Sequence, residues 1–365
     1  MNSNNLTKSY WYTPFIKTII NYIYKQDLLF GFIPIKKDFI DYSFNVDMVY
    51  LWVDGDDPKW LAKKQYWQGQ KNQNLDEQAI TKGRFVNNDE LKFALRSIEK
   101  NIPWINKIYI ITDNQIPEWL NTNNEKIKVV FHNEFIPKEN LPLFNSEAIE
   151  SFLADIPELS EHFLYGNDDM YIAKPLDKSF FFMPDGKPII RLKKNVYKRN
   201  TKKSMYTRSI FMLQKMVLKH FKKHIPFAPQ HNIDAYTKSA YKECIKYIEK
   251  EFEQTKQHKF RQEGDIQRVI VAYYMIVKNL GKFKYCTYVD TFLSVFEQLI
   301  RYITKRYCAD SITINMNNKN PYARLKKTNP ALFCTNDGEG VTDFDRARTR
   351  IFLEETFPEK SSYET

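Results

Sequence analysis

The sequence predicts an α/β protein: a mainly parallel sheet covered by helices, with a helical, basic insertion. Three observations carry that expectation. Apolar runs of strand length alternate with segments of helical period. Polar clusters follow these runs, as they do at the carboxyl edge of an open α/β sheet. The 27 Phe, 23 Tyr and 6 Trp among 365 residues supply a large core, and with only 10 Gly and 16 Pro the chain is neither disordered, collagen-like nor linker-dominated. No internal repeat of solenoid period is present.

Taken in order, residues 10–40 interleave aromatic and aliphatic residues with Lys, which suits a short amphipathic helix ending near Gly31 and docked on the protein body. Residues 46–53, VDMVYLWV, read as a buried strand stopped by Asp54-Gly55-Asp56-Asp57-Pro58. Asn87 to Glu90 has capping-box spacing and opens a helix whose core stripe is Leu91, Leu95 and Ile98. Residues 107–112 and 127–131 read as two further strands, and Ser146 is expected to cap a helix carrying Ile149, Phe152 and Leu153. Residues 162–165 are a fourth strand, ending in Gly166-Asn167-Asp168-Asp169. From about 195 to 285 the pattern becomes mainly helical and basic, and mixed character returns before Thr335-Asn336-Asp337-Gly338. The expected parts are an N-terminal amphipathic segment 1–45, an α/β core 46–192, a mainly helical lobe 193–285, and a C-terminal part 286–365 that completes the core.

Cys244, Cys286, Cys308 and Cys334 are widely spaced with no CxxC, so neither a disulfide framework nor a zinc site is suggested, and a reducing compartment fits best. No run of 18 apolar residues occurs and the N-terminus lacks signal-peptide order, so the expected location is cytoplasmic. The formal net charge is +11, and its placement matters more than its size. Residues 187–223 hold thirteen Lys/Arg and no Asp or Glu. Such a segment attracts polyanions: an anionic polymer, nucleic acid or the inner leaflet of a membrane; a solvated basic face is the plainer alternative.

Asp54, Asp56 and Asp57 share one strand-end loop and Asp168 and Asp169 another. Gathered carboxylates repel unless a cation or a donor network balances them, and oxygen ligands of this kind suit Mg²⁺, Mn²⁺ or Ca²⁺. Taken singly, Asp54-Gly55-Asp56-Asp57-Pro58 reads more readily as a turn and Asn167-Asp168-Asp169 as a helix start. Glu150 lies one turn beyond Ser146, where a carboxylate could also be a dipole partner. Arg84 and Arg96 flank the helix start at Asn87–Glu90, where a guanidinium could clamp phosphate oxygens. His231, within His231-Asn232-Ile233-Asp234, is the histidine whose neighbourhood looks most like a site; the other five are expected in solvent or core.

These residues carry a resemblance. DMVYLWVDGDDPKW, residues 47–60, resembles the first signature block of the Stealth family of hexose-1-phosphate transferases, which includes bacterial capsular and exopolysaccharide phosphotransferases. A second block is similar in Arg84, Asn88, Glu90-Leu91, Leu95-Arg96-Ser97-Ile98, Pro103-Trp104, Thr112-Asp113-Asn114-Gln115, Phe144-Asn145-Ser146, Ala148-Ile149-Glu150 and Asn167-Asp168-Asp169-Met170. A looser third block pairs His231, with His224 as its rival, with Arg261-x-x-x-Asp265. A fourth sets Cys334-Thr335-Asn336-Asp337 before Phe357-Pro358, Ser361 and Glu364.

The resemblance implies a nucleotide-sugar-transferase-like fold and transfer of a sugar 1-phosphate from a UDP-sugar to a hydroxyl of an anionic cell-surface polysaccharide, with release of UMP. The core 46–192 would bind the donor and the lobe 193–285 would face the acceptor, with a peripheral contact to the inner membrane or to capsule assembly proteins as a further expectation. Trp52, Asp54, Gly55 and Asp57, with Asn145 and Ser146, would shape the donor site, Gly55 allowing close backbone approach. Asp168, Asp169 and Asp337 would hold Mg²⁺ or Mn²⁺. His231 would act as general base, Arg261 with Arg84 or Arg96 would stabilise charge on the phosphoryl group, and Glu150 would orient a sugar hydroxyl or substitute as base. A UDP-sugar-dependent glycosyltransferase that releases UDP is the alternative. A nucleic-acid binder is disfavoured, because acids clustered at strand ends repel phosphate.

Overall fold

A computed structural model describes residues 42–70, 82–194, 205–225, 227–285, 310–338 and 340–365. The expected N-terminal helix falls outside them, as do Lys198, Arg199, Lys202 and Lys203 of the basic segment and both Cys286 and Cys308. Elements are numbered in chain order among the described residues.

The central sheet has the order β3 (Ile127–Phe131), β2 (Ile108–Thr112), β1 (Val46–Leu51), β4 (His162–Asn167), β8 (Asp234–Thr237). The first four run parallel and β8 is antiparallel to β4. Side chains alternate strictly between two cores. Val49, Tyr109, Ile111, Val130, Phe163, Tyr165 and Tyr236 face one, while Met48, Tyr50, Ile108, Ile110, Ile127, Leu164 and Ala235 face the other. A strand covered on both faces needs apolar residues on both, which is why these runs are legible as continuous hydrophobic stretches. Two smaller sheets flank it: β10 (Ser311–Asn315), β11 (Leu332–Asn336), β5 (Met170–Ile172); and β7 (Phe227–Pro229), β6 (Ile189–Lys194), β9 (Lys282–Tyr285).

Helices α1 (Pro58–Gln68), α2 (Glu90–Asn101) and α3 (Ser146–Glu150) join the first strands. The stretch 193–285 contributes α4 (Met205–Phe221), α5 (Lys238–Tyr247), α6 (Glu249–Lys256) and α7 (Val269–Val277), and also gives β8 to the central sheet. α8 (Ala323–Thr328) and α9 (Asp343–Thr356) close the chain. No helix among the described residues is long and apolar enough to cross a membrane.

Two expected caps form differently. Asp89 takes a left-handed conformation at φ 62° and places Glu90 so that its Oε2 accepts from the Asn88 backbone N–H at 2.6 Å; Asn87 accepts from Asp89 and caps no helix. Ser146 is the first residue of α3, and its cap is Asn145, whose Oδ1 accepts from Glu147 N–H at 3.1 Å. At the opposite edge of the sheet, buried Asp47 accepts from Asn106 Nδ2, Lys107 N and Ser160 N, tying three connections together. This carboxylate sits in the first signature block, yet it is a structural knot.

Arg96 was expected near phosphate. Its fork is instead filled by Glu364, with Nε to Oε1 at 2.8 Å and Nη2 to Oε2 at 2.7 Å, while Nη1 donates to Phe357 O. The C-terminal tail is thereby clasped onto α2, across a sequence separation of 268 residues.

Glu364→Ala is expected to cost about 3 kcal/mol at pH 7, the scale for breaking a largely buried, bidentate pair. Burial alone would push the Glu364 carboxyl up, but hydrogen bonds from Arg96 and Ser361 hold it below its ordinary range. The contribution is therefore complete above the unfolded value and fades as pH falls through the folded one. Denaturant titrations at pH 7 and pH 3 measure this, and a gap between wild type and variant that does not shrink at low pH contradicts the clasp.

Candidate active site at the carboxyl edge of the sheet

The two-residue connection from β4 to β5 holds Asp168 and Asp169 at the carboxyl end of a central strand. β11 fixes its far side: Thr335 N–H donates to Asp169 O at 3.0 Å, and the Cys334 thiol donates to Asp169 Oδ2 at 3.2 Å. Asp169 Oδ1 is buried without a partner. Glu90, at the start of α2, completes an acidic group. Burial first, then the charge of Asp168, pushes Glu90 up to about 8. Burial, then Asp169, pushes Asp168 up to about 8. Asp169 rises to about 7, chiefly by burial, with the Cys334 hydrogen bond opposing the rise.

No three acidic, His or Cys side chains among the described residues already surround one metal position. The donor chemistry nonetheless fits a hard cation: two adjacent half-buried carboxylates, one with an orphaned buried oxygen, suit an ion that completes its shell with phosphate oxygens and water. Asp337 is less available, because both of its oxygens accept from Arg346 at 2.6 and 3.1 Å. It packs under the turn at Gly83, where a Cβ would stand 2.7 Å from Asp337 Oδ1.

Beside the acids lies Arg268, only 6% exposed. Its Nη1 meets Glu150 Oε1 at 3.3 Å, its backbone N–H meets Glu150 Oε2 at 3.2 Å, and its Nη2 meets Asp234 Oδ2 at 3.2 Å. The guanidinium lies 4.7 Å from the ring centre of Tyr165, whose hydroxyl donates to the same Glu150 oxygen at 3.0 Å. Burial pushes Asp234 up to about 6 against the pull of Arg268. Glu150, expected as a base or a hydroxyl ligand, has both oxygens occupied and holds Arg268 in place. Arg268 itself escaped the sequence reading, because its partners lie 118 and 34 residues away.

Arg261 donates to the Ser146 hydroxyl and stands 3.7 Å from Glu147, whose carboxyl burial pushes up to about 7. Asn145 is fully buried, its Nδ2 donating to Asp265 Oδ2 at 2.8 Å and to His258 O at 3.2 Å. Asp265 Oδ1 in turn meets His258 Nδ1 at 2.5 Å. The histidine oriented by a carboxylate in this region is thus His258, which was expected in solvent or core. The spacing His258 to Asp265 was its only sequence signal. Trp60, Phe85, Phe144 and Phe260 stack into an apolar group that fixes these loops over the end of β1.

The Asp54–Asp57 loop is clamped by Gln115 from the end of β2. Gln115 Oε1 accepts from Asp54 N–H at 3.0 Å, and its Nε2 donates to Asp54 O at 2.9 Å and Asp57 Oδ2 at 3.1 Å. Asp57 caps α1 through Lys59 and Trp60 N–H, and its carboxyl is held low, chiefly by Gln115. The close approach that needs glycine at position 55 is to the chain itself: Gly55 N–H donates to Phe85 O, and a Cβ would collide with that oxygen at 2.2 Å. Trp52 is buried in the core. Arg84 is exposed beside this loop. His231 precedes β8. Asp234 pairs with Tyr165, and a Cβ on Gly166 would stand 3.0 Å from Ile233, so the residues just before β8 approach the carboxyl end of β4. The His231 ring also packs edge-on against Tyr206 at 5.4 Å. His224 follows α4, and burial pushes its imidazole down.

Comparison with known proteins matches the first two of the four blocks. The profile of Stealth protein CR1, conserved region 1, matches residues 44–71, and that of Stealth protein CR2, conserved region 2, matches residues 84–190. The capsular polysaccharide phosphotransferase fcs1 of Haemophilus influenzae is 35% identical over 308 residues, 80% of this chain and 78% of that protein. The capsular polysaccharide phosphotransferase LcbA of Aeromonas hydrophila is 36% identical over 231 residues, 62% of this chain and 64% of that protein, a little under two thirds of its length. Among solved structures, the galactosyltransferase LgtC in complex with donor and acceptor sugar analogs aligns over 87% of this chain and 96% of that one, with 10% identity and a TM-score of 0.39. At that score the α/β class rests on the strand order described above.

The charge balance of the site can be checked without any substrate. Arg268→Met leaves buried Glu150 and largely buried Asp234 without their cationic partner, and is expected to cost about 3–5 kcal/mol in urea titrations. Arg268→Lys should recover little, since one ammonium cannot serve both carboxylates. Arg261→Met, at a partly exposed position, should cost about 1 kcal/mol. Equal losses at 268 and 261 would show that Arg268 does not hold the cluster.

Proposed function

The chain belongs to the Stealth family, and from that membership we propose that it transfers a sugar 1-phosphate from a UDP-sugar to a hydroxyl of a cell-surface polysaccharide at the cytoplasmic face of the membrane. The acceptor oxygen bonds to the phosphorus that carries the sugar, the bond from that phosphorus to the bridging oxygen breaks, and UMP leaves with the electron pair. The product is a phosphodiester. Such a displacement asks the protein for positioning and charge neutralisation, with no covalent nucleophile.

The observation that carries this reading is the acidic group of half-buried Asp168 and Asp169 with buried Glu90 at the end of β4. Asp168 and Asp169 would hold a Mg²⁺ or Mn²⁺ ion, which supplies neutralisation of the diphosphate. Arg261, whose closest side-chain partner is a neutral hydroxyl, retains charge for the transferred phosphoryl group. His231, three residues before Asp234 of β8, would accept the acceptor proton. Asp54, held by Gln115, would line the nucleoside end together with Asp57. The basic segment in residues 187–223 suits an anionic, phosphodiester-containing acceptor.

With Mg²⁺ and its donor the enzyme is expected to release UMP and give a phosphodiester resonance in phosphorus NMR; release of UDP would make it a glycosyltransferase. Asp168→Asn and Asp169→Asn should each lower turnover at least about 100-fold while remaining folded, and EDTA should do the same to the wild type. His231→Ala should lower kcat by about 10²–10⁴ with little change in KM, as loss of a general base predicts.

Replacing Lys193, Lys194, Lys198, Arg199, Lys202 and Lys203 by Gln should raise the acceptor KM and flatten its dependence on ionic strength, since the Debye length is about 8 Å at physiological salt. The donor KM should stay unchanged. Loss of vesicle binding with intact acceptor kinetics would reassign the segment to lipid headgroups.

A further inference from the structure

Between β7 and β8 two buried amides flank His231. Gln230 is 8% exposed and Asn232 1%. Asn232 Oδ1 accepts from Ile233 N–H at 2.9 Å, which fixes the amide orientation and leaves Nδ2, a donor, without a partner. Gln230 is anchored by its backbone, whose N–H donates to Arg191 O at 2.9 Å, and its Oε1, an acceptor, is likewise buried and unpaired. Buried polar atoms are ordinarily satisfied, so a donor and an acceptor left open two residues apart need an account.

Their place supplies one. β8 runs antiparallel to β4 with Asp234 opposite Tyr165, and Ile233 abuts Gly166. Asn232, next to Ile233, therefore lies near the carboxyl end of β4 with Gln230 two residues before it, and Asp169 Oδ1, in the connection that follows β4, is a third unpaired atom. We propose that Gln230 and Asn232 form a sugar-hydroxyl subsite that reads the hexose of the transferred sugar 1-phosphate. Gln230 Oε1 accepts from one ring hydroxyl, and Asn232 Nδ2 donates to the oxygen of a neighbouring hydroxyl or acetamido group. Phosphate alone cannot fill this role, because ionised phosphate oxygens offer no proton to the Gln230 acceptor. Uracil could pair with both amides through its imide edge. A ribose separates it from the diphosphate, however, whereas the hexose is bonded directly to the phosphate that Asp168 and Asp169 would face. The inference rests on the transfer reaction proposed above.

The test uses the full chain with Mg²⁺, its thermal stability in the presence of glucose, galactose, N-acetylglucosamine and N-acetylgalactosamine 1-phosphates or UMP, and turnover of the four matching UDP-sugars. Gln230→Met removes the acceptor at nearly constant volume, and Asn232→Asp removes the donor while keeping the bond to Ile233 N–H. Wild type is expected to show a Tm rise with one hexose 1-phosphate above its epimer, and at least about tenfold preference in kcat/KM for the matching donor. Both variants should fold, with Gln230→Met melting no lower than wild type in the absence of ligand. Both should lose the hexose 1-phosphate shift and bring the donor preference to within about twofold, while keeping the UMP shift. Variants that retain the wild-type hexose preference and shift overturn the proposal, as does a wild type that no hexose 1-phosphate stabilises. Loss of the UMP shift instead would assign the edge to the base. If no UDP-sugar is turned over, the transfer reaction fails, and the hexose 1-phosphate shifts still decide the subsite.

Discussion

The structure is organised around an imbalance of buried charge. Glu90, Asp168, Asp169, Glu150, Asp234 and Glu147 are drawn together at one sheet edge, and one fully buried guanidinium, Arg268, stands among them. Carboxylates taken from water repel strongly at low dielectric, so a fold that gathers them must pair them, protonate them or leave them to a cation. All three are in use. Glu150 and Asp234 are paired with Arg268. Glu90, Glu147, Asp168 and Asp169 are pushed into the range where protons compete near neutrality, while Asp168 and Asp169 also present oxygens suited to a hard ion.

The topology explains why the acids meet. Parallel strands deliver all their carboxyl ends to one side, so the loops after β1, β2 and β4 converge. β8 adds the decisive step. Being antiparallel to β4, it brings its amino-terminal side, with Gln230, His231, Asn232 and Asp234, to the same edge, although these residues lie more than sixty positions further along the chain. α3 then turns Asn145, Ser146, Glu147 and Glu150 toward the loop 258–268. The parallel sheet sets this edge, and the antiparallel strand β8 closes it.

Much of this was legible beforehand, for a definite physical reason. Strands β1 to β4 are covered on both faces and so spell themselves out as apolar runs, and their ends are marked by the polar residues that follow. What escaped was long-range pairing. Nothing local in Arg96 says that its fork belongs to Glu364, and nothing in Glu150 says that both its oxygens serve Arg268 and Tyr165. Gln115 closes the Asp54–Asp57 loop from another strand, and His258 gains its orientation only when Asp265 is turned back by Asn145. Local rules also failed where tertiary contacts override them. The left-handed Asp89 breaks the expected capping box, and Gly55 accommodates Phe85 in place of a ligand.

The arginines show how the fold separates structural from functional charge. Arg96 is filled by Glu364, Arg346 by Asp337 and Asp343, Arg191 by Asp310, and Arg268 by Glu150 and Asp234. A guanidinium with a bidentate carboxylate partner has little field left for a phosphate, since an incoming anion would have to displace the pair it already makes. Arg261 differs: its hydrogen bond goes to the Ser146 hydroxyl, and Glu147, at 3.7 Å, is a carboxyl that burial pushes toward its neutral form. At Arg96, Arg191, Arg268 and Arg346 positive charge is therefore spent on holding the scaffold. Asp168 and Asp169 accept no guanidinium hydrogen bond among the described residues, and the carboxylate beside Arg261, Glu147, is one that burial pushes toward its neutral form, so the acids and this arginine are not spent on each other.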